Sequence, residues 1–204
     1  DDLFSMVPEE VRLSRGIDLP PALSELELAV QMKRMASRNA SCDSAVCFLG
    51  AGAYDHFIPS VVPSLLSRQE FYTAYTPYQP EISQGTLQAI FEFQSMICML
   101  TGMDVANASM YDGASALAEA AMMVCRTTGR EEVLVADSAA PQSREVLNTY
   151  AHFRGVSVVT VGYQDGQVDM ADLAAKLSDK TAAVLVQSPN FFGVIEEVEA
   201  IAEA

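Results

Sequence analysis

Apolar positions in the second half of the chain fall into short, uninterrupted runs separated by segments with helical spacing. The runs cover residues 133–136, 156–161 and 182–187, and they predict three strands. Continuously apolar strands that alternate with helices are typical of parallel βαβ units with helices on both faces of the sheet. The predicted fold class is therefore α/β. The intervening helices are predicted over 141–153, from the cap Asp169 to Leu177, and from Glu196 onward, with a turn at Asp165-Gly166.

The first half of the chain predicts helices without a strand pattern. Residues 1–23 contain Pro8, Pro20 and Pro21 and are expected to form an extended arm. Ser24 and Glu27 form a capping box for a helix that reaches about Asn39. Further helices are predicted toward Ser67, over 82–101 up to Gly102, and over 114–126 closed by Gly129.

The helix over 82–101 is apolar around most of its circumference, which predicts burial on several sides. We expect two regions, an N-terminal arm and helix over 1–47 and an α/β domain over 48–204. The helix begun at Glu196 is cut off by the end of the sequence, so we expect the remainder of this domain to be absent and the chain to be a fragment.

The net charge restricts the possible binding partners more than it restricts the possible folds. The 204 residues include 12 Lys and Arg against 27 Asp and Glu, a formal net charge of −15. Such a charge repels nucleic acid and anionic membrane surfaces. No apolar run approaches the ~20 residues of a membrane span. We expect a cytoplasmic protein that binds neither nucleic acid nor membrane.

Cysteine and histidine spacings predict no metal site. Cys42 and Cys47 do not form a CxxC pair, and the two histidines lie far apart without carboxylates at ligand spacing. We expect the cysteines to be small buried apolar residues in a reducing compartment.

Three places carry candidate chemistry. Gly113, Ala114 and Ser115 begin a helix of small residues, where backbone N–H groups can bind phosphate, but spacing alone favours the alternative that Asp112 simply caps the helix. The loop 188–193, which includes Asn190, follows a strand end and either faces a ligand or reverses the chain.

The third place is a proline-stiffened segment over 72–85. Its tyrosines suit a binding surface, either a ligand pocket or a subunit interface, and they equally suit a helix start that is held in place by aromatic rings. Its polar and aromatic candidates are Tyr75, Thr76, Tyr78, Gln79, Glu81 and Ser83. The only lysines, Lys33, Lys176 and Lys180, have polar neighbours and do not resemble a desolvated Schiff-base amine.

Several strings resemble glycine dehydrogenase (decarboxylating), the P-protein family of the glycine cleavage system. They are FLGAGAYDHFIPSVV, YTPYQPEISQGTLQAIFEFQSMICMLTGMDVANASMYDGASALAEAA and QSPNFFGVIE. MYDGASALAEA and EEVRLSRGIDLPPALSE are similar to subunit 1 of the bacterial two-subunit form rather than to the fused chain. The resemblance extends from about residue 3 to residue 200.

The resemblance implies a fold-type-I pyridoxal-phosphate enzyme, here the incomplete large domain of such a transferase. The family decarboxylates glycine, the cofactor serving as electron sink, and transfers the aminomethyl group to the lipoyl-carrying H-protein. It implies that Gly113, Ala114 and Ser115 hold the cofactor phosphate and that loop 188–193 lines the substrate side.

The resemblance also limits what this chain does alone. The cofactor lysine of the two-subunit enzymes belongs to subunit 2, so the resemblance implies a silent partner with no catalytic residue of its own. Tyr75, Thr76, Tyr78, Gln79 and Glu81 would then complete the active site of subunit 2 across an interface, and Ser115 would be a relic or an interface residue. Two alternatives remain open: a purely structural interaction fragment, or another fold-type-I enzyme whose lysine lies beyond residue 204.

Overall fold

A computed structural model describes residues 2–48 and 56–204. Most of the string FLGAGAYDH, residues 49–55, lies outside the described residues. The chain divides into two compact units, Asp1–Phe48 and Leu49–Ala204. Each unit is described by itself.

The first unit contains two short 3₁₀ helices and one α-helix, α1. The 3₁₀ helices are Asp2–Phe4 and Glu9–Val11, and α1 is Glu25–Ala36. The predicted capping box is confirmed, because Ser24 Oγ accepts from Glu27 N at 3.3 Å while Ser24 N donates to Glu27 Oε2 at 2.9 Å. The helix ends at Ala36, three residues before the expected Asn39.

The second unit begins with helices that precede the sheet. They are α2 (Val61–Leu66), α3 (Gln69–Tyr72) and α4 (Gln84–Thr101). The short helix α3 was not predicted. Helix α4 ends, as expected, at Gly102, whose φ of 72° is the left-handed conformation that glycine adopts without strain.

The expectation that α4 is buried on several sides is wrong for this chain. No residue of α4 is buried, and Phe91, Met99 and Leu100 are 71%, 84% and 82% exposed. An apolar circumference shows that a helix has surface suited to burial. The spacing of its own apolar residues does not show which other elements cover that surface.

The remaining elements build a parallel sheet with helices around it. They are α5 (Gly113–Thr128), β1 (Glu132–Ala136), α6 (Pro141–Arg154), β2 (Ser157–Val161), β3 (Tyr163–Gln164), β4 (Gln167–Val168), α7 (Met170–Lys176), β5 (Thr181–Leu185) and α8 (Val198–Glu203). The sheet order is β2-β1-β5, with both pairings parallel, and β3 and β4 form a separate antiparallel hairpin. The predicted α/β class is confirmed.

Strand β1 is central, and its alternating side chains supply the core on both faces. Val133 and Val135 pack with Leu147 of α6 and the small residues of α5, whereas Leu134 packs with Leu173 of α7 on the opposite face. Complete burial of a Val or Leu side chain contributes about 1.5–3 kcal/mol. These two clusters explain why the helices lie on both sides of the sheet.

Two local expectations are wrong. Glu196 does not begin a helix: α8 starts at Val198, and Glu196 is a buried carboxylate. Cys42 and Cys47 are exposed, and of the four cysteines only Cys125 is buried. Cysteine is a small apolar residue by its chemistry, but the sequence does not show whether the segment around it is part of the hydrophobic core.

Within 2–48 and 56–204, no helix has the length and apolar content required to cross a membrane. In the same part of the chain, no group of three or more His, Cys, Asp and Glu side chains is arranged to hold a metal ion.

Candidate functional site

A groove of about 560 Å³ lies between α3 and the start of α4. Its lining residues are Glu70, Ala74, Tyr75, Thr76, Tyr78, Gln79, Ile82, Ser83 and Thr86. The groove thus brings together Tyr75, Thr76, Tyr78, Gln79 and Ser83, all of them predicted site residues. Its volume lies within the roughly 300–1,000 Å³ typical of small-molecule pockets.

Two tyrosine rings form the aromatic part of this groove. The ring centroids of Tyr75 and Tyr78 are 6.3 Å apart with an interplanar angle of 56°, and the residues are 82% and 77% exposed. The turn is fixed by a 2.8 Å hydrogen bond from Tyr78 N to Thr76 O. Rigid, exposed tyrosines offer apolar area and a hydroxyl at little cost in conformational entropy, which suits them to binding.

The other residues of this segment have distinct positions. Ser83 is half-buried at the N-cap of α4, and its backbone carbonyl accepts from Leu87 N at 2.9 Å. Glu81 is exposed and is not among the residues that line the groove. No residue of the α5 turn or of loop 188–193 lines it either.

The second candidate place is the N-terminus of α5. The short connection 129–131 reverses the chain between α5 and β1, so the start of α5 lies toward the edge where the parallel strands end. Ligands of open parallel sheets bind at that edge. The position therefore suits the phosphate-binding role that the sequence implied for Gly113, Ala114 and Ser115.

The chemistry of this turn does not suit that role. Asp112 is the N-cap of α5, and its Oδ1 accepts from Ser115 N at 2.7 Å. Hydrogen bonds from the backbone N–H and the hydroxyl of Ser115, with a smaller one from Ala114 N–H, lower the pKa of Asp112. Ser115 N, one of the donors that would hold a phosphate, already holds this carboxylate, and its negative charge repels a phosphate, so the residues present do not fit pyridoxal phosphate.

Internal packing does not account for the glycine in this turn. A Cβ placed on Gly113 meets no heavy atom within 4 Å in the part of the chain that the structure describes. The close packing that small residues permit occurs further along α5, where Ala118 and Ala121 are fully buried.

Loop 188–193 is the remaining candidate place, and its Asn190 lies inside the molecule. Asn190 is 4% exposed. Its amide nitrogen donates to Gly166 O and to Glu196 Oε1, both at 2.7 Å. Its carbonyl oxygen accepts from Phe192 N at 3.0 Å and Val194 N at 3.1 Å. These four bonds saturate the amide, so its side chain shapes the loop and leaves no free group for a substrate or a partner.

Glu196 is the carboxylate around which this loop is organised, and it is 4% exposed. It accepts from Ser138 Oγ at 2.6 Å and Asn190 Nδ2 at 2.7 Å through Oε1, and from Val168 N at 2.9 Å through Oε2. Burial by itself raises the pKa of Glu196, but these three hydrogen bonds together lower it below its ordinary value.

Sequence reasoning missed the buried position of Glu196, because a glutamate after Val194-Ile195 is also typical of the start of a helix. The available signal was the amide of Asn190, a polar side chain in the loop after β5 that requires hydrogen-bond partners when it is buried. That signal indicates a buried polar network without identifying Glu196 as its acceptor.

The lysines lie where the sequence placed them. Lys176 donates from Nζ to Asp172 Oδ2 at 2.6 Å and to Thr160 O at 2.8 Å, while Lys33 and Lys180 are exposed. Lys176 is paired with a carboxylate, which is the opposite of the desolvated surroundings that a Schiff-base amine needs.

Fold and site together define the class of protein. A parallel sheet with helices on both faces and an α5 that begins toward the carboxyl edge of the strands are typical of the large domain of fold-type-I pyridoxal-phosphate enzymes. The family model described as "Glycine cleavage system P-protein" matches residues 1–204. The chain belongs to that family.

Relatives and a solved structure agree with this assignment. "Probable glycine dehydrogenase (decarboxylating) subunit 1" of Desulforamulus reducens is 60% identical over 203 residues, covering 100% of this chain and 46% of the relative. The protein of the same description from Koribacter versatilis is 57% identical over 205 residues, again covering 100% and 46%.

A crystal structure described as glycine decarboxylase (P-protein) of the glycine cleavage system, in inhibitor-bound form, matches with a TM-score of 0.90. It is 45% identical, and the match covers 100% of this chain and 45% of that one. The expected fold class is thereby confirmed. The chain spans just under half the length of the relatives it matches.

Proposed function

We propose that this chain is part of subunit 1 of a two-subunit glycine dehydrogenase (decarboxylating) and acts only together with the lysine-bearing subunit 2. The observation that carries the proposal is identity of 60% along the whole chain with a protein described as subunit 1. The Asp112 carboxylate at the α5 turn supports it, because a negative charge there repels the phosphate of a cofactor.

The proposed reaction is decarboxylation of glycine and transfer of the remaining aminomethyl group to the lipoyl arm of the H-protein. In this assembly pyridoxal phosphate is held covalently by subunit 2 and supplies the electron sink for the carbanion. No residue of this chain is assigned as nucleophile or general base. The assembly is proposed to be cytoplasmic, without nucleic-acid or membrane partners.

The contribution of this chain is the tyrosine groove. Tyr75, Thr76, Tyr78 and Gln79 present two phenol rings, one further hydroxyl and one amide on a proline-stiffened turn, with Glu81 exposed beside them. We assign this surface to the interface with subunit 2, where it closes the partner's active site and excludes water from it. Asn190 acts at a distance from any ligand by fixing loop 188–193.

Glycine–bicarbonate exchange tests the proposal. The full chain is combined with subunit 2 and the H-protein, and exchange of labelled bicarbonate into glycine is measured together with complex formation. We expect activity only when both subunits are present. Tyr78→Ala is expected to weaken the association of the subunits at least about tenfold, in line with tyrosine anchors at other interfaces.

The matched control is Phe153→Ala, because Phe153 is as exposed as Tyr75, at 82%, and lies on α6 outside the groove. It is expected to leave association and exchange unchanged. Absence of a complex and of exchange in the full-length pair would contradict the proposal. Pyridoxal phosphate added to the isolated chain is expected to keep the absorption spectrum of the free cofactor, and a new visible band would refute the silent-subunit assignment.

A further inference from the structure

The first turn of α5 holds an anion that belongs to the chain itself. A helix of 16 residues has unpaired N–H groups and a positive dipole at its N-terminus, and both attract an anion. Here Asp112 Oδ1 lies 2.7 Å from Ser115 N, and the Asp112 carbonyl accepts from Ala116 N at 3.0 Å. The second bond is the ordinary first backbone bond of the helix, so the side chain of Asp112 alone places a negative charge at its entrance.

We propose that the Asp112 carboxylate closes the α5 N-terminus to phosphate, so that this chain keeps an anion-binding position filled by its own side chain. The proposal goes beyond the proposed function and does not depend on it, because it concerns binding of phosphate by this chain alone. It also gives a reason, separate from the position of any lysine, why this chain does not hold a phosphate-bearing cofactor.

Charge, rather than space, closes the site. Asp112 has extended backbone angles, φ −159° and ψ 175°, which fold its carboxylate back over the first turn. The volume beside Gly113 is open, since a Cβ there meets no described heavy atom within 4 Å. A phosphate could therefore approach the turn, but it would meet the negative charge of Asp112, which already engages Ser115 N.

The comparison with an uncharged cap makes the proposal testable. Serine and asparagine are as effective at the N-cap as aspartate, so Asp112→Ser and Asp112→Asn keep α5 while removing the charge. Both variants are expected to fold, and the two differ in shape, so a local packing defect in one does not affect the conclusion from the other.

The experiment measures binding of inorganic phosphate to the full chain at pH 8, where phosphate is a dianion. Equilibrium dialysis with labelled phosphate gives the affinity, and the amide resonance of Gly113 in glycine-labelled protein reports whether the anion lies at this turn. We expect no saturable binding by the native chain. We expect Asp112→Ser to bind phosphate at least about tenfold more tightly than the weakest affinity detectable for the native chain, with a shift of the Gly113 resonance.

Glu119→Gln is the matched control, because Glu119 is an exposed carboxylate on the same helix, away from its N-terminus. It removes the same charge and is expected to leave phosphate binding unchanged. Equal gains in Glu119→Gln and Asp112→Ser would show a general charge effect and overturn the proposal. Saturable binding by the native chain at Gly113, or no gain in either Asp112 variant, would also overturn it.

Discussion

The Ser138 hydroxyl donates a 2.6 Å hydrogen bond to Glu196 Oε1 and joins two residues 58 positions apart in the chain. Ser138 follows the end of β1, and Glu196 follows the loop after β5. The bond is reinforced by Phe191 N, which donates to Ser138 O at 2.9 Å. The carboxyl ends of two neighbouring strands are therefore tied together by one buried carboxylate.

Removal of this carboxylate is expected to destabilise the fold strongly. Glu196→Ala leaves Ser138, Asn190 and Val168 N buried without their acceptor, and we expect a loss of about 3 kcal/mol in the free energy of unfolding. Urea unfolding of the full chain measures it. Glu197→Ala, at the adjacent exposed glutamate, is the control and should change stability by less than about 0.5 kcal/mol. Equal effects of the two substitutions would contradict the assigned network.

Stability should also depend on pH through Glu196. Its pKa is lower in the folded chain than in the unfolded one, so its stabilising contribution is complete above the unfolded pKa and is lost as pH falls through the folded pKa. We expect the free energy of unfolding of the native chain to fall between about pH 5 and pH 3.

The variant Glu196→Gln isolates this contribution, because Asp112 and Asp172 also have lowered pKa values and titrate in the same range. Its free energy of unfolding should be lower at neutral pH, since an amide nitrogen replaces one acceptor, and should fall less on acidification. Parallel pH profiles for the native chain and this variant would exclude Glu196 as a source of the dependence.

Close packing of α5 on the sheet predicts sensitivity to side-chain volume. Ala121 is fully buried in the cluster formed with β1 and α6. Ala121→Leu is expected to lower the free energy of unfolding by about 1–3 kcal/mol, because the added atoms have no space. Met123→Leu, on the same helix at a residue 62% exposed, serves as the control. Urea midpoints that move equally in both would contradict the packing described.

The tyrosine groove is expected to affect association without affecting the fold. Tyr75 and Tyr78 are so exposed that Tyr78→Ala should change the free energy of unfolding of the isolated chain by less than about 0.5 kcal/mol. Thermal or urea unfolding of the isolated chain checks this directly. A large loss of stability would mean that weakened subunit association reflects unfolding rather than a lost contact.

Local features of the fold were predictable wherever neighbouring residues determine them. Ser24 with Glu27, the caps Asp112 and Asp169 and the glycines after α4 and α5 act over three or four residues, and the structure has them as expected. The turn at Asp165-Gly166 is also present, with φ of 52° and 84° at the two residues.

The residues that form the candidate site were largely predictable from the sequence, but their arrangement in space was less predictable. The tyrosines, polar residues and prolines of the segment 72–85 marked it as a candidate, and the groove gathers most of its named residues. The engagement of Asn190 by Glu196 and Gly166 depends on segments 6 and 24 residues away, and nothing local to Asn190 specifies them. The same limit applies to α4, whose apolar circumference predicted a burial that this chain does not provide.

The sequence by itself determined the α/β class, the limits of most helices and strands, and the family to which the chain belongs, because periodicity, caps and motifs are local properties. Only the tertiary structure decided that Glu196 is a buried acceptor and Asn190 is saturated. It also showed that the Asp112 carboxylate engages the N–H groups of the α5 turn. Hydrogen bonds and charges act through space, so their partners are known only when distant segments have been brought within a few ångströms of one another.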